Sequence, residues 1–368
     1  MVAKRITIAA FSDLTHDQRL RRISQSLATH GFRVDLWGRI FPGSVDLQTE
    51  VFKQKRLTFW FNKGKTGYLE FNIRLLFSLL FHQTDAICSV DLDTLPACWL
   101  VAKLKRIKLV HDAHEYLEEV PEVYNRPATK ALWNLVARLF LPGTDLCYTV
   151  SSSLVEEFMR KYNKEFLLVR NMPFRVESRQ YQPVKSYGTG YWVFLGAVNK
   201  GRGLEQFLDV LPSTNRKLII LGTGDLMPEL KEMIQEKMLD HLVVFTGKLR
   251  PEEMAPILQH AWAGINMLTD EGLSYRYSLA NKFFDYVHAG LPQICIAFPE
   301  YQKLMKQHEV GVLTRLENKY LRAACEIISL PEKQLHFRAE CTKAKENWNW
   351  QNEEQELVKA YEKLLNQA

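Results

Sequence analysis

Strand-like apolar runs alternate with helical patterns along almost the whole chain. Residues 5–11 form an apolar run typical of a buried strand, residues 17–30 have the spacing of an amphipathic helix, and residues 32–37 are strand-like again. Apolar strands joined by helices pack as a parallel sheet with helices on both faces. The sequence therefore predicts an α/β protein built on Rossmann-like, doubly wound sheets.

The alternation occurs in two series. The first predicts further strands at 85–90, 107–110, 146–150 and 166–169, and helices at 68–83, 96–105 and 154–162. The second predicts strands at 191–196, 217–222, 242–247, 264–268 and 293–297. The segment between them is polar and rich in turn residues, and 368 residues exceed what one core usually organises. Two domains are therefore expected.

The predicted boundaries follow from these two series. We expect an N-terminal domain at 1–174, a linker at 175–190, a C-terminal domain at 191–346, and a final helical segment at 347–368 that packs back on the first domain. Sheets of this type bind ligands beyond the carboxyl ends of their strands. The two domains are expected to face a central cleft.

Charge is distributed unevenly along the chain. Residues 1–180 contain 26 Lys and Arg against 19 Asp and Glu, a net charge of +7, whereas the remainder has a net charge of −1. A basic half suits an anionic partner, such as nucleic acid, anionic lipid or a phosphate-bearing substrate. Taken singly, the clusters at 19–22, 53–56 and 103–106 are typical of solvated faces. The chain lacks the aromatic-rich basic stripes of nucleic-acid binders, so no nucleic-acid partner is expected.

Cysteine usage and hydropathy indicate a cytoplasmic protein. The six cysteines show no CxxC or metal-like spacing, and most lie in apolar runs, so neither disulfides nor zinc are expected. No apolar run reaches membrane-spanning length, and the basic start leads into a strand and not into a signal peptide.

Glycine-containing turns follow three predicted strands of the second domain. They contain Gly196, then Gly222 and Gly224, and then Thr246 with its following glycine. Glycine lets a backbone approach phosphate closely, and the start of a following helix offers free N–H groups. Steric needs of the turns alone also explain glycines at such positions. Three turns in one domain, with Lys200 and Arg202 in the first, favour a nucleoside diphosphate at this edge.

A helix that starts at Asn281 places Lys282 and Asp285 on one side, three positions apart. There Lys282 is suited to neutralise a phosphate and Asp285 to accept hydrogen bonds from ribose hydroxyls. Phe283, Phe284 and Val287 are predicted to face the core. The alternative is an exposed ion pair between Lys282 and Asp285 with no part in binding.

Two segments resemble a known family. Residues 195–205, LGAVNKGRGLE, and 278–292, SLANKFFDYVHAGLP, are similar to those of retaining nucleotide-sugar glycosyltransferases of the GT-B fold, of the family 4-like, group 1 type. The resemblance covers nearly the whole chain and is strongest from residue 191 to residue 297. It implies the GT-B fold, with two Rossmann-like domains, and transfer of a sugar from a nucleoside diphosphate to a hydroxyl group.

The resemblance also implies residue roles in the second domain. Arg202, with Lys200 or Lys282 as companion, corresponds to the basic pair that holds the donor diphosphate, and Asp285 to the carboxylate that binds the donor ribose. The family pattern has two glutamates separated by seven residues. Here Asp285 replaces the second, the first falls on Tyr277, and Glu271 is the nearest upstream glutamate.

In the first domain the segment from Val110 to Tyr116 ends a predicted strand with two histidines and two carboxylates. The resemblance assigns His114 as the strand-end histidine near the reacting sugar, and Asp112 or Glu115 is placed to orient its ring. A metal site lacks a third ligand at suitable spacing. Further expected acceptor contacts are Ser12 and Asp13 in the first turn, which otherwise serve the loop alone, together with Asp91 and Asp112.

These features predict a retaining, metal-independent hexosyltransferase without a resident cofactor, with His114, Arg202 and Lys282 as its catalytic residues. Its expected partners are a nucleoside diphosphate sugar and a saccharide or lipid-linked acceptor. A sugar-nucleotide epimerase of the same fold and a non-catalytic binding partner are the alternatives. The apolar segment 68–83 beside the basic stretch 53–65 suits either a buried helix or peripheral contact with the inner face of the cytoplasmic membrane.

Overall fold

The computed structural model describes residues 3–15, 17–61, 64–177 and 179–366, and of Lys65 only the backbone. His16 of the predicted first turn, and Asn62 and Lys63 of the basic stretch, lie outside the described residues. The chain divides into two units. The first comprises Met1–Asn171, Gly272–Ser274 and Gln351–Ala368, and the second comprises Met172–Glu271 and Tyr275–Trp350.

The first unit is built on a seven-stranded parallel sheet. Its strands are β1 (Arg5–Ala9), β2 (Arg33–Arg39), β3 (Lys53–Leu57), β4 (Ala86–Val90), β5 (Lys108–Ala113), β6 (Leu146–Thr149) and β7 (Leu167–Leu168). They lie in the order β3-β2-β1-β4-β5-β6-β7. Its helices are α1 (Gln18–Thr29), α2 (Gly64–Leu80), α3 (Asp91–Lys105), α4 (Pro121–Tyr124), α5 (Pro127–Phe140) and α6 (Ser152–Tyr162).

The second unit is built on a six-stranded parallel sheet. Its strands are β8 (Trp192–Leu195), β9 (Leu218–Leu221), β10 (Val243–Gly247), β11 (Ala263–Asn266), β12 (Gln293–Ile296) and β13 (Gly311–Thr314), in the order β10-β9-β8-β11-β12-β13. Its helices are α7 (Leu204–Val210), α8 (Met227–Glu236), α9 (Pro251–His260), α11 (Asn281–His288), α12 (Pro299–Met305), α13 (Asn318–Ser329) and α14 (Pro331–Asn347). Helix α10 (Gly272–Arg276) begins in a segment of the first unit, and α15 (Trp350–Asn366) belongs to the first unit from Gln351 onward.

The predicted α/β class with two Rossmann-like domains is confirmed. All five residues of β4 are buried, as are all four of β9, which is the burial that helices on both faces of a sheet produce. Strand β3, by contrast, was missed as a strand, although the solvated face predicted for residues 53–56 is confirmed by the exposure of Lys53 and Lys55. Its sequence, KQKRL, is polar because it lies at the edge of the sheet, where only one neighbour pairs with it.

The units differ in detail from the predicted domain boundaries. The segment 175–190, expected as a linker, belongs to the second unit, where the backbone N–H of Tyr181 donates to the Gln259 side chain at 2.8 Å. The final helix lies with the first unit, and its Glu353 forms an ion pair with Arg170 at 2.7 Å. The second unit ends at Trp350, four residues beyond the predicted limit.

Two further observations bear on the sequence-based expectations. The six cysteines are all buried, so they pack as small apolar side chains. Within the described ranges, no helix is both long enough and apolar enough to cross a membrane.

Candidate active site

The candidate residues follow the carboxyl ends of strands in each sheet. Gly196 and Gly222 come directly after β8 and β9, while Asp91 and His114 come directly after β4 and β5. Because each sheet is parallel, these positions share one edge of their own sheet, which is where proteins of this class bind ligands.

The glycine turns after β8 and β9 pack directly on each other. The N–H of Gly196 donates to the carbonyl of Leu221 at 3.0 Å, and the N–H of Val198 donates to that of Thr223 at 3.1 Å. At Gly222, which has a φ of +146°, a Cβ would overlap the carbonyl oxygen of Gly196. A Cβ on Gly224 would overlap the carbonyl oxygen of Val198 in the same way. The steric explanation therefore accounts for Gly222 and Gly224. Gly196 is different, because a Cβ added to it would meet, among the described residues, only Cε of Lys282, at 3.9 Å.

Lys282 is a buried basic side chain of the second unit. Its side chain comes from the first turn of α11, it is 7% exposed, and its Nζ lies 3.7 Å from the ring centroid of Phe194. The Nζ makes no hydrogen bond to any residue that the structure describes. Burial lowers the pKa of Lys282 well below its usual range, and the charge of Arg202 lowers it further. An exposed ion pair, the alternative from the sequence, is excluded by this burial.

Arg202 is the companion of Lys282. Its buried Nε also lacks a partner within the described part of the chain, and its Cζ lies 5.1 Å from the ring centroid of Tyr275. Lys200 is different because it is exposed and pairs with Glu229 at 3.0 Å. Nζ of Lys282 and Nε of Arg202 therefore lack an acidic hydrogen-bond partner among the described residues, and a bound anion would favour the protonated form of Lys282.

The other predicted donor contacts surround α11 and β10. Phe283, Phe284 and Val287 are buried, as predicted. Asp285 and Tyr277 are half-buried, whereas Asn281 and Glu271 are exposed. The hydroxyl of Thr246 donates to the carbonyl oxygens of Ile220 and Gly247, at 3.3 and 3.0 Å, so it retains only acceptor capacity for a ligand.

In the first unit, Arg19, Asp112 and His114 form one hydrogen-bonded chain. Arg19 donates through Nη2 and Nε to the two carboxylate oxygens of Asp112, at 2.8 and 3.2 Å, and through Nη1 to the carbonyl of Val169 at 2.7 Å. The Nε2 of His114 lies 2.8 Å from Oδ2 of Asp112. Asp112 was predicted as an acceptor contact, but its carboxylate is fully buried and both oxygens are engaged. Its two oxygens face Arg19 and His114, so Asp112 holds the His114 ring.

The same contacts fix the charge of these groups. Burial by itself lowers the pKa of His114, but the Asp112 carboxylate outweighs it and raises that pKa to about 9. For Asp112 burial acts in the opposite direction, and Arg19 with His114 lowers its pKa to about 2. At neutral pH His114 is therefore a cation, able to donate a hydrogen bond to a phosphate or sugar oxygen.

Asp91 and Asp93 lie in the first turn of α3, which begins five residues earlier than predicted. Oδ1 of Asp91 accepts the backbone N–H groups of His114 and Glu115, at 2.8 and 3.2 Å, and so fixes the loop after β5. Burial raises the pKa of Asp91 to about 7 and that of Asp93 well above its usual range. The buried Oδ1 of Asp93 lacks a hydrogen-bond partner among the described residues.

Ser12 and Asp13 serve the first turn itself. Oγ of Ser12 accepts the N–H of Leu14 at 3.1 Å, and Oδ1 of Asp13 accepts that of Thr15 at 3.0 Å. Oδ2 of Asp13 accepts a longer bond, 3.4 Å, from the hydroxyl of Ser44. Of the two roles left open by the sequence, these bonds support the structural one.

Arg19 was not predicted as a functional residue. Residues 19–22 were expected on a solvated face, but both Arg19 and Arg22 are buried. Residues 19–22 do lie in an amphipathic helix, but the neighbouring sequence does not show that the side chain of Arg19 points inward. No group of three or more His, Cys, Asp or Glu side chains that suits a metal ion occurs in the described ranges.

Comparisons with known families extend over most of the chain. The model of "Glycosyltransferase Family 4" matches residues 18–167, and that of "Glycosyl transferases group 1" matches residues 190–330. These ranges correspond to the two Rossmann-like units.

Among characterised proteins, the alpha-monoglucosyldiacylglycerol synthase of Streptococcus pneumoniae is 31% identical over 141 residues. That match covers 37% of this chain and 30% of the synthase. The chain therefore spans less than a third of the length of this relative.

Two solved structures have the same fold over nearly the whole chain. Sucrose-phosphate synthase from Thermosynechococcus elongatus gives a TM-score of 0.82 at 16% identity, with 99% of this chain and 100% of that chain covered. HepE from Anabaena, solved in complex with UDP and glucose, gives a TM-score of 0.74 at 14% identity, with 98% and 100% covered.

Proposed function

The chain belongs to the group 1 glycosyltransferases of the GT-B fold, and from that premise we propose that it moves a hexose from a nucleoside diphosphate to an acceptor hydroxyl with retention of configuration. The observation that carries the proposal is the pair Lys282 and Arg202. Both are basic side chains with a buried nitrogen that lacks a hydrogen-bond partner in the described part of the chain, at the ligand edge of the second sheet. A diphosphate supplies the missing negative charge.

The donor nucleotide would lie along the turns after β8 and β9. A neighbour of the same fold was solved with UDP, which supports a nucleoside diphosphate as the ligand class. In our proposal Lys282 and Arg202 contact the diphosphate, and Asp285, on the same helix as Lys282, accepts hydrogen bonds from the ribose. Tyr277 and Asn281 border the start of that helix and complete the donor contacts.

The chemistry requires stabilisation of a departing diphosphate. Negative charge develops on the phosphate oxygen as the bond to the sugar breaks, and fixed cations in a water-poor site stabilise it without reorganisation. Lys282 and Arg202 would perform this role without a metal or a resident cofactor. The departing phosphate would take the proton of the acceptor hydroxyl, which attacks from the same face of the sugar.

His114 has a separate role in this proposal. As a cation held by Asp112, it donates a hydrogen bond to an oxygen of the reacting sugar and sets its orientation. Asp91 fixes the loop that contains His114. The unpartnered Oδ1 of Asp93 is the additional atom at this edge suited to accept a bond from an acceptor hydroxyl.

We propose a saccharide or lipid-linked acceptor, and action in the cytoplasm at the inner face of the cytoplasmic membrane. The relative from Streptococcus pneumoniae is named for a glucosylated diacylglycerol, which supports a lipid-linked acceptor. The basic balance of the N-terminal half supports a location near anionic lipid.

A two-step experiment tests the function. The melting temperature is first measured with UDP-, GDP-, ADP- and dTDP-sugars, because a ligand that binds only the folded state raises it. The donor identified in this way is then incubated with and without candidate acceptors, and the products are analysed. Transfer with retained anomeric configuration is expected. Epimerised donor without acceptor, or no stabilisation by any nucleotide sugar, would contradict the proposal.

A further inference from the structure

Helix α2 is apolar on two opposite faces. Phe71, Leu75 and Leu79 are spaced by four residues and are buried. Leu69 and Ile73 are spaced in the same way on the other side and, with Phe77, are 46–64% exposed. A helix that covers a sheet needs only one apolar face, so folding of the unit does not explain the second.

Exposed aromatic side chains extend this second face at both ends of the helix. Trp60 is 83% exposed and Phe81 is 88% exposed. Glu70 of α2 accepts the backbone N–H groups of Trp60 and Phe61, at distances of 2.8 to 3.1 Å, which holds that segment against the helix. We call Trp60, Phe61, Leu69, Ile73, Phe77 and Phe81 the α2 surface.

The neighbouring helices expose apolar side chains as well. Helix α3 packs beside α2, and α5 packs beside α3. Their exposed apolar residues are Leu100, Leu104, Leu132, Leu135 and Leu139. Exposed apolar residues therefore occur on three helices that are packed side by side, and apolar surface concentrated in one region usually contacts a partner.

A basic strand borders the α2 surface. Lys53 and Lys55 are exposed on the edge strand β3. An open pocket of about 430 Å³ is lined by Lys55 from this strand together with Phe77 and Phe81, so the basic border and the apolar face adjoin. Apolar side chains next to lysines match the layered chemistry of a bilayer surface, in which acyl chains lie beneath anionic head groups.

We propose that the α2 surface docks on an anionic lipid bilayer. Its aromatic and aliphatic side chains enter the boundary between head groups and acyl chains, while Lys53 and Lys55 contact anionic head groups. A second copy of this chain fits less well, because it would present the same lysines to one another. The inference rests on the proposed membrane location and identifies the surface responsible for it.

The test uses the full chain with vesicles of phosphatidylcholine alone and of phosphatidylcholine with phosphatidylglycerol. We expect the wild type to sediment with the anionic vesicles at low salt and less at high salt. The double variant Ile73→Ser/Phe77→Ser should partition at least tenfold more weakly, which corresponds to about 1.4 kcal/mol. Lys53→Glu/Lys55→Glu should weaken binding to the anionic vesicles.

Matched controls come from the second unit. Leu335→Ser on α14 replaces an exposed leucine, and Lys217→Glu replaces an exposed lysine, and both should bind vesicles as the wild type does. All variants should keep the rise in melting temperature that the donor nucleotide produces. A variant that keeps this rise but no longer binds vesicles supports the docking surface.

Two results would overturn the inference. The first is a wild type that does not sediment with anionic vesicles at low salt, or α2 variants that sediment equally well. The second is a dimer in sedimentation velocity that Ile73→Ser/Phe77→Ser converts to a monomer, since the occupant would then be a second copy. Nucleotide binding and transfer to a water-soluble acceptor would persist in either case, so the proposed sugar transfer would stand independently of the membrane location.

Discussion

Two clusters of buried charged or basic side chains, one in each unit, differ in how they are compensated. In the first unit Arg19, Asp112 and His114 satisfy one another, and each polar contact of Asp112 is made within the protein. In the second unit Lys282 and Arg202 each have a buried nitrogen without a hydrogen-bond partner in the described residues. A compensated chain stabilises a fold and orients its last member, whereas buried basic groups without an anion destabilise the fold or lose a proton until an anion binds. This difference separates a positioning network from a ligand site.

The largest effect is expected from opening the compensated chain. Asp112→Asn removes the charge that faces both Arg19 and His114 and leaves them buried without an anion. The free energy of unfolding should fall by about 3–5 kcal/mol, as when one partner of a buried ion pair is removed. Urea unfolding of the wild type and of the variant measures this difference in the free energy of unfolding. Glu356→Gln, which removes an exposed pair with Lys359 on α15, should change little. Equal stability of wild type and Asp112→Asn would show that the chain is not a structural unit.

A smaller effect is expected at the end of that chain. His114→Ala should reduce turnover by about a hundredfold while donor affinity changes little, because His114 positions the reacting sugar and not the nucleotide. Steady-state kinetics with both substrates saturating, combined with calorimetry of donor binding, measure the two quantities. His336→Ala removes an exposed histidine of the second unit and should keep wild-type turnover. Unchanged turnover in His114→Ala would remove it from the catalytic residues.

Stability should depend on pH through His114. Its pKa is about 9 in the folded state and about 6.5 when unfolded, so its protonated form stabilises the fold fully below pH 6.5. That contribution should be lost as pH rises from 6.5 to 9. The unfolding free energy of the wild type, relative to that of His114→Gln, should therefore decrease across this window. A constant difference between the two proteins would contradict the assigned charge.

Much of the fold was predictable from the sequence because apolar periodicity reports burial. Strands such as β4 and β9 and the core positions of α11 were found within a residue or two. The edge strand β3 was missed because its residues are mostly polar and so lack the apolar pattern that indicates a buried strand. Helix α3 was predicted to begin at Pro96 but begins at Asp91. The backbone of Asp91 lies in the left-handed region, at a φ of 55°.

The candidate site was less predictable for a related reason. A charged side chain is expected in solvent unless a partner is known, and the partner usually comes from elsewhere in the chain. Arg19 and Asp112 are 93 residues apart, so neither burial nor pairing was visible locally. The position of Lys282 at the start of a helix was predictable from the sequence, but its burial over Phe194 depends on packing within the second unit.

The most direct test of the contrast is calorimetry of nucleoside diphosphate binding to the wild type and to Lys282→Met, with the nucleotide that most raises the melting temperature. Removal of a charge-assisted bond should weaken binding by about 1.5–3 kcal/mol, while the unfolding free energy stays constant or rises because a buried ammonium group is gone. Lys200→Met, which removes an exposed lysine paired with Glu229, should bind as the wild type does. Wild-type affinity in Lys282→Met, or a loss equal to that in Lys200→Met, would contradict the assignment of Lys282 as the cation that receives the diphosphate.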